Sequence, residues 1–293
     1  MRWPARDIGW RRRLTLAVFG LATAALVASA ANQLGPSCEE ASANTARLSQ
    51  PVVKARAAAV IDRNTGAVLY SRRGSLRQDP ASLTKVMTAL LVLEHTRNLG
   101  SYARVPSEAV GQRGVAIGLQ VGDRITVRNL LRGSLTRGAS DCSITLAHYV
   151  AGNEEAFVAM MNARAKRLGL THTHFVNPTG VIDSGQYSSA LDLARLARAA
   201  MKNARFRPFV AAWQAHVRWP PNHDVIVHSR NWLVRYYGWG NGVKTGNSPV
   251  AGICMIASGT YRSRALIVVT LHERSLASER ADVLKLFRYG SQR

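Results

Sequence analysis

At 293 residues, with 47% hydrophobic and 19% charged side chains, the chain has room for one large domain or two ordinary ones and a composition that excludes disorder as its default state. Its formal net charge of +22 points to an acidic partner, because such a surface attracts polyanions and steers charged substrates. Three widely spaced cysteines, Cys38, Cys142 and Cys254, exclude a disulfide scaffold and show no zinc spacing.

The chain opens with Arg11, Arg12 and Arg13 before an apolar run over 14–30 that ends in Ala28-Ser29-Ala30. That is the layout of a secretory signal, so residues 1–30 are expected to be removed. An uncleaved anchor at the short end of the membrane-spanning range is the alternative. Cleavage deletes five Arg and one Asp and leaves +18, so the basicity belongs to the body of the protein. Export argues against nucleic acid as the natural partner. An anionic wall polymer or membrane surface remains. Residues 31–52, rich in Ala, Ser, Asn and Gln, read as a linker, and 53–293 as the working domain.

Residues 57–70 read as a strand, a turn at Asn64-Thr65-Gly66 and a returning strand. Asp79-Pro80-Ala81-Ser82 opens a helix predicted over 83–95, with Val86, Leu90, Leu91 and Val92 on its apolar face. A Gly-punctuated loop follows over 111–122. Helical patterns return over 127–135, 142–151, 154–168 and 190–201. Strand-like text at 225–227, 252–258 and 265–271 precedes a final amphipathic stretch over 277–289. This order predicts an α+β fold.

Two short motifs carry chemistry. Ser82-Leu83-Thr84-Lys85 is a Ser-x-x-Lys at a helix start, where positions i and i+3 share a face. A lysine that has lost its proton can then take the serine's proton as the oxygen attacks a carbonyl. Free lysine, with a pKa of ~10.4, is unsuitable, and burial or a second cation would favour the neutral amine. Lys244-Thr245-Gly246 supplies a cation and a hydroxyl for a substrate carboxylate, and a glycine where substrate backbone can lie close to a strand. Either motif alone is weak; their order and separation match penicillin-binding proteins and class A β-lactamases.

From about residue 57 onward the chain resembles the low-molecular-mass, serine-type D-alanyl-D-alanine carboxypeptidases. The likeness includes Pro80-Ala81-Ser82-Leu83-Thr84-Lys85, Leu168-Gly169-Leu170-Thr171, Asn177-Pro178 with Gly180, Tyr187-Ser188-Ser189-Ala190 and Gly242-Val243-Lys244-Thr245-Gly246. It implies a β-lactamase/penicillin-binding transpeptidase-like fold, an antiparallel sheet covered by helices with a helical subdomain. It further implies Ser82 as nucleophile, Lys85 as base and Lys244 and Thr245 as holders of the substrate carboxylate. The backbone N–H groups of Ser82 and Asn247 would form the oxyanion hole. Peptidoglycan stem peptides in the periplasm would be the substrate, β-lactam antibiotics would acylate Ser82, and no metal or organic cofactor would be required.

The family's middle motif, Ser-x-Asn, is where the sequence departs. Read without gaps, its serine becomes Gly138 and its asparagine Ser140; a register shifted by two gives Ser140-Asp141-Cys142. Both put Ser140 at the site. The departure leaves two alternatives to a carboxypeptidase open: a D,D-endopeptidase that cuts cross-links, and a weakly active or silent wall-binding relative. His172-x-His174 lacks a third ligand and reads as structural. Trp213, Trp219, Trp232 and Trp239 with Tyr236 and Tyr237 read as core or site wall, and Arg195, Arg198, Arg205 and Arg207 as a solvated face or an anion-binding patch.

Overall fold

In the computed structural model, residues 49–181 and 184–293 are described. The signal segment at 1–30, the linker up to residue 48 and Cys38 lie outside the described residues. The predicted hairpin forms from β1 (Ala57–Asp62) and β2 (Val68–Arg72), paired antiparallel. Its turn is tied by the Asp62 carboxylate, which accepts the backbone N–H groups of Asn64 and Thr65. A tight 3₁₀ turn at Ala81–Thr84 leads into α1 (Lys85–His95).

A small two-stranded sheet of β3 (Tyr102–Arg104) and β4 (Arg124–Thr126) brackets the loop at 111–122. The helical subdomain continues with α2 (Val127–Arg132), one π-turn at Gly133–Arg137, α3 (Ser140–Ala151), α4 (Glu154–Arg167) and α5 (Ala190–Lys202). Asn153 and Ser189 cap the last two by accepting the N–H of Ala156 and Asp192. The chain returns through α6 (Arg207–Ala211), the hairpin β5 (Gln214–Trp219) and β6 (His223–His228), and α7 (Trp232–Tyr236). It closes with β7 (Gly240–Ser248), β8 (Gly252–Tyr261), β9 (Arg264–Glu273) and α8 (Leu276–Gly290).

The five-stranded antiparallel sheet has the order β2-β1-β9-β8-β7. Period-two alternation gives it two apolar faces. Ala57, Ala59, Ile61, Ile267 and Val269 face α1, α3 and α5, while Ala58, Val60, Leu266 and Val268 face Val283, Leu286 and Phe287 of α8. Each such fully buried aliphatic side chain contributes ~1.5–3 kcal/mol, so the sheet is a rigid platform between two helical layers. β7 is left as an edge strand, and that edge is where the site is built. No helix among the described residues is long and apolar enough to cross a membrane.

The first predicted helix begins two residues later than expected, because Ala81–Thr84 is wound as 3₁₀. The helix predicted over 127–135 stops at Arg132, where the π-turn widens the backbone toward Gly138. β3, β4, β5, α6 and α7 carry too few buried positions to show a period in the sequence.

Candidate active site

Ser82 is set by its turn. The Asp79 carboxylate accepts the Ala81 N–H at 2.8 Å, and Ala81 is held at φ +46°, a left-handed conformation an alanine adopts only under constraint. Two glycines let the neighbouring segments close on this turn. A Cβ on Gly180, itself at φ +73°, would fall 1.8 Å from the Ala81 carbonyl oxygen, and one on Gly246 of β7 would fall 3.0 Å from the Ser82 nitrogen. In a 3₁₀ turn positions i and i+3 eclipse. Accordingly Lys85 Nζ reaches Ser82 Oγ at 3.3 Å.

Lys85 is fully buried, and its Nζ also meets the Thr179 carbonyl at 2.5 Å. Burial, and then the charge of Lys244, pushes its pKa well below the ordinary lysine value. An uncharged amine can donate to Thr179 and offer its lone pair to the Ser82 hydroxyl. The carbonyl is fixed by the Asn177 side chain, whose Oδ1 accepts from Thr179 N, Thr179 Oγ1 and Gly180 N, and by Thr88, which donates to the Pro178 carbonyl. The sequence marks Asn177-Pro178-Thr179-Gly180 only as a turn; its part in holding Lys85 depends on a contact 94 residues away in the chain.

Lys244 lies on β7, 5% exposed, with its Nζ donating to the Thr245 carbonyl at 2.8 Å. Burial and the neighbouring Arg230 lower its pKa to about 8. Ser82, Ser140, Lys244, Thr245, Gly246 and Asn247 line one cleft of about 760 Å³, with Lys85 beneath its floor at Ser82. All seven residues singled out from the sequence therefore meet.

The departing middle segment is also placed. The π-turn ends at Gly138, φ +85°, whose missing Cβ would lie 3.3 Å from Lys244 Nζ. Gly138 and Ser140 both line the cleft, whereas Cys142 is fully buried against Gly133, which favours the ungapped register. The buried Ser140 hydroxyl has no hydrogen-bond partner among the described residues. Asp141 does not face the cleft chemistry: its Oδ2 accepts the N–H groups of Ile117, Gly118 and Leu119 and pins the loop at 111–122. Cys142 and Cys254 are buried free thiols whose pKa values burial pushes up.

Sequence reasoning missed the cleft's charge. Arg113, Arg137, Arg230, Arg235 and Arg280 line it, none with a hydrogen bond or ion pair among the described residues, although Arg235 stacks on Trp213 with its guanidinium 4.4 Å from the ring centre. The one acid in the lining among the described residues, Glu279, is buried and accepts from Trp232 Nε1 at 3.0 Å. Of the aromatic group, Trp213, Trp232 and Tyr236 form cleft wall, while Trp219 is buried against the core and Trp239 packs on Phe287. Of the arginines between 195 and 207, Arg195 pairs with Asp192, Arg198 holds the carbonyls of Arg63 and Asn64, and Arg205 those of Leu93 and Arg97.

A serine and a buried amine on a turn against an edge strand that carries lysine, threonine and glycine form the arrangement of the penicillin-binding transpeptidase fold. Comparison with known proteins makes the assignment narrower. The profile of the D-alanyl-D-alanine carboxypeptidases, peptidase family S11, matches residues 44–275, and the chain belongs to that family. It is 33% identical over 244 residues to D-alanyl-D-alanine carboxypeptidase DacF of Bacillus subtilis, covering 82% of this chain and 63% of the relative. The D-alanyl-D-alanine endopeptidase of Pseudomonas aeruginosa is 33% identical, with 79% of this chain and 76% of that protein covered. Among solved structures, the Streptomyces K15 DD-transpeptidase superposes with a TM-score of 0.79 at 28% identity, over 84% of this chain and all of that one. Penicillin binding protein 6B of Escherichia coli gives 0.76 at 31%, over 83% and 79%. The chain spans about three-fifths of the length of DacF and of the Salmonella typhimurium DacD that it also matches.

Proposed function

We propose that the protein is a serine-type D-Ala-D-Ala carboxypeptidase that removes the terminal D-alanine from peptidoglycan stem peptides outside the cytoplasm. One observation carries this reading: a fully buried lysine amine, its charge disfavoured by burial and by a second lysine, sits 3.3 Å from a serine hydroxyl that opens on a cationic cleft.

In the proposed reaction Ser82 Oγ attacks the carbonyl carbon between the two D-alanines and its proton passes to Lys85 Nζ. The N–H groups of Ser82 and Asn247 receive the oxyanion, and Gly246 keeps β7 close enough to the turn for both to reach it. Lys244, Thr245 and the nearby Arg230 hold the terminal carboxylate. The C–N bond then breaks as the proton on Lys85 moves to the leaving amine, and water later attacks the ester and regenerates Ser82. Gly138 brings no hydroxyl to this proton path. The Ser140 hydroxyl, unpartnered at the cleft wall, supplies the nearest replacement. Turnover is therefore expected to be slower than acylation.

Intact-mass measurement after benzylpenicillin treatment tests the proposal: one penicilloyl adduct is expected on the wild type and none on Ser82→Ala. Chromatography of products from a pentapeptide and from cross-linked dimers then separates carboxypeptidase from endopeptidase. An unlabelled wild type, or labelling that survives Ser82→Ala, overturns the reading.

A further inference from the structure

A second cavity, of about 670 Å³, lies away from the Ser82 cleft and is walled by Arg97, Arg128, Arg132 and Arg205. We propose that it is a binding site for a phosphate ester that carries a small apolar group. Among the described residues no Asp or Glu lines it. The carboxylate that touches a lining residue, Asp224 at 3.1 Å from His216 Nδ1, is also held by Arg218 Nε at 2.8 Å. Four guanidiniums thus gather without a counter-charge in their own wall.

Two of them are fixed in advance by neutral partners. Arg132 Nη1 donates to Asn129 Oδ1 and to the His216 carbonyl, and Arg205 donates to the carbonyls of Leu93 and Arg97. Those acceptors orient the guanidiniums without neutralising them. The side chains of Arg97 and Arg128 make no hydrogen bond or ion pair among the described residues, and both are exposed. An independent sign is Thr136: it lines the cavity at 4% exposure, and its buried hydroxyl has no partner among the described residues. A buried hydroxyl left unmet is costly, and a ligand oxygen that met it would recover that cost.

Chemistry narrows the ligand. Planar guanidinium forks match the oxygens of phosphate, and four cations favour a group that carries close to two charges at neutral pH, as a phosphate monoester does. A bare oxyanion underfills a cavity of this size, and Leu99, Pro208 and Phe209 give part of its wall an apolar face beside Asn98, Gln214 and His216. Thr136 and Arg137 are consecutive, one lining this cavity and the other the Ser82 cleft, so the π-turn forms a wall shared by both.

Titration calorimetry of phenyl phosphate into the full chain at fixed ionic strength tests the site. The tightest binding event is expected to survive the cleft substitutions R113A/R235A and to weaken at least about tenfold in R97A/R128A. Because those two guanidiniums hold nothing inside the protein, the unfolding temperature of that variant is expected to stay unchanged. Thr136→Val serves as a second variant, expected to weaken binding without altering the salt dependence. Binding that is undiminished in R97A/R128A and T136V, or that is lost in R113A/R235A instead, overturns the site. Phenylacetate binding as tightly as phenyl phosphate overturns the choice of phosphate. Binding to phosphatidylglycerol vesicles with none to phenyl phosphate overturns the soluble ester in favour of a lipid headgroup.

Discussion

Lys85 and Lys244 sit in one charge environment, but the proposed reaction needs them in opposite states, the first uncharged to take a proton, the second charged to hold a carboxylate. Burial lowers both pKa values, and Lys85 falls further because Lys244 is beside it, while Lys244 stays at about 8. Acylation by penicillin is therefore expected to rise with pH as Lys85 loses its proton and to fall above about 8 as Lys244 loses its own. A stopped-flow pH profile checks this, and a rate flat across pH 6–9 would contradict it. Lys85→Met removes the base and is expected to slow acylation by ~10²–10⁴. Gly180 makes a sharper structural test. With its Cβ position 1.8 Å from the Ala81 carbonyl and its φ at +73°, Gly180→Ala forces the nucleophile turn to move. The expected cost is ~1–3 kcal/mol, seen as a lower unfolding temperature together with lost penicillin labelling.

Between elements, the loop at 111–122 is held by one carboxylate and by backbone bonds from Ser140 N–H to the Val115 carbonyl and from Gly122 N–H to the Val105 carbonyl. Asp141, at the start of α3, accepts three consecutive N–H groups from that loop, which brings Arg113 and Gly114 to the cleft beside Ser140. Asp141→Ala is expected to cost ~1.5–3 kcal/mol and to open the loop, read as faster tryptic cleavage at Arg113 and faster amide exchange over 115–119. At this scale the sequence is legible where burial is deep. β1, β8 and β9 announce themselves as apolar runs buried along nearly their whole length, and α5 by a buried face that recurs every three to four residues. β5 does not, since only Val217 and Trp219 of its six residues are buried on a two-stranded sheet. The contiguous motifs at 82–85 and 244–247 are readable because their spacing is their chemistry. Arg113 and Arg230 join the site only through folding, with nothing in their own neighbourhoods to mark them, and Thr179, although it lies within the family-like stretch at 177–180, meets Lys85 only across 94 residues of chain.

Across the whole molecule the dominant fact is an excess of cations, with 39 Lys and Arg against 17 Asp and Glu. Several of the scarce acids lie inside. Glu273, Glu279 and Asp282 are almost wholly buried where β9 meets α8, and Glu279 receives the indole N–H of Trp232 at the cleft wall. Burial raises the Glu279 pKa from 4.5 to about 7, and Glu273 rises likewise with Ser278 and Asp282 against it. A carboxyl whose folded pKa lies above its unfolded one gives its full stabilisation below the unfolded value and loses it as pH climbs to the folded one. The window here is pH 4.5 to 7. Ionising these groups also trims the net positive charge and eases long-range repulsion, but that effect is spread over the surface and screened by salt, whereas desolvation acts at the group. Glu279 alone is thus expected to lower stability by up to about 3 kcal/mol between pH 5 and pH 8, while Lys85 and Lys244, whose folded pKa values are depressed, act in the opposite direction as they lose their protons. Glu279→Gln keeps an acceptor for the Trp232 indole while removing the titration, so its unfolding free energy is expected to fall less between those two pH values. Denaturant unfolding of both proteins at pH 5 and pH 8 measures the difference, and identical losses in the two would mean that Glu279 is ionised in the folded protein throughout.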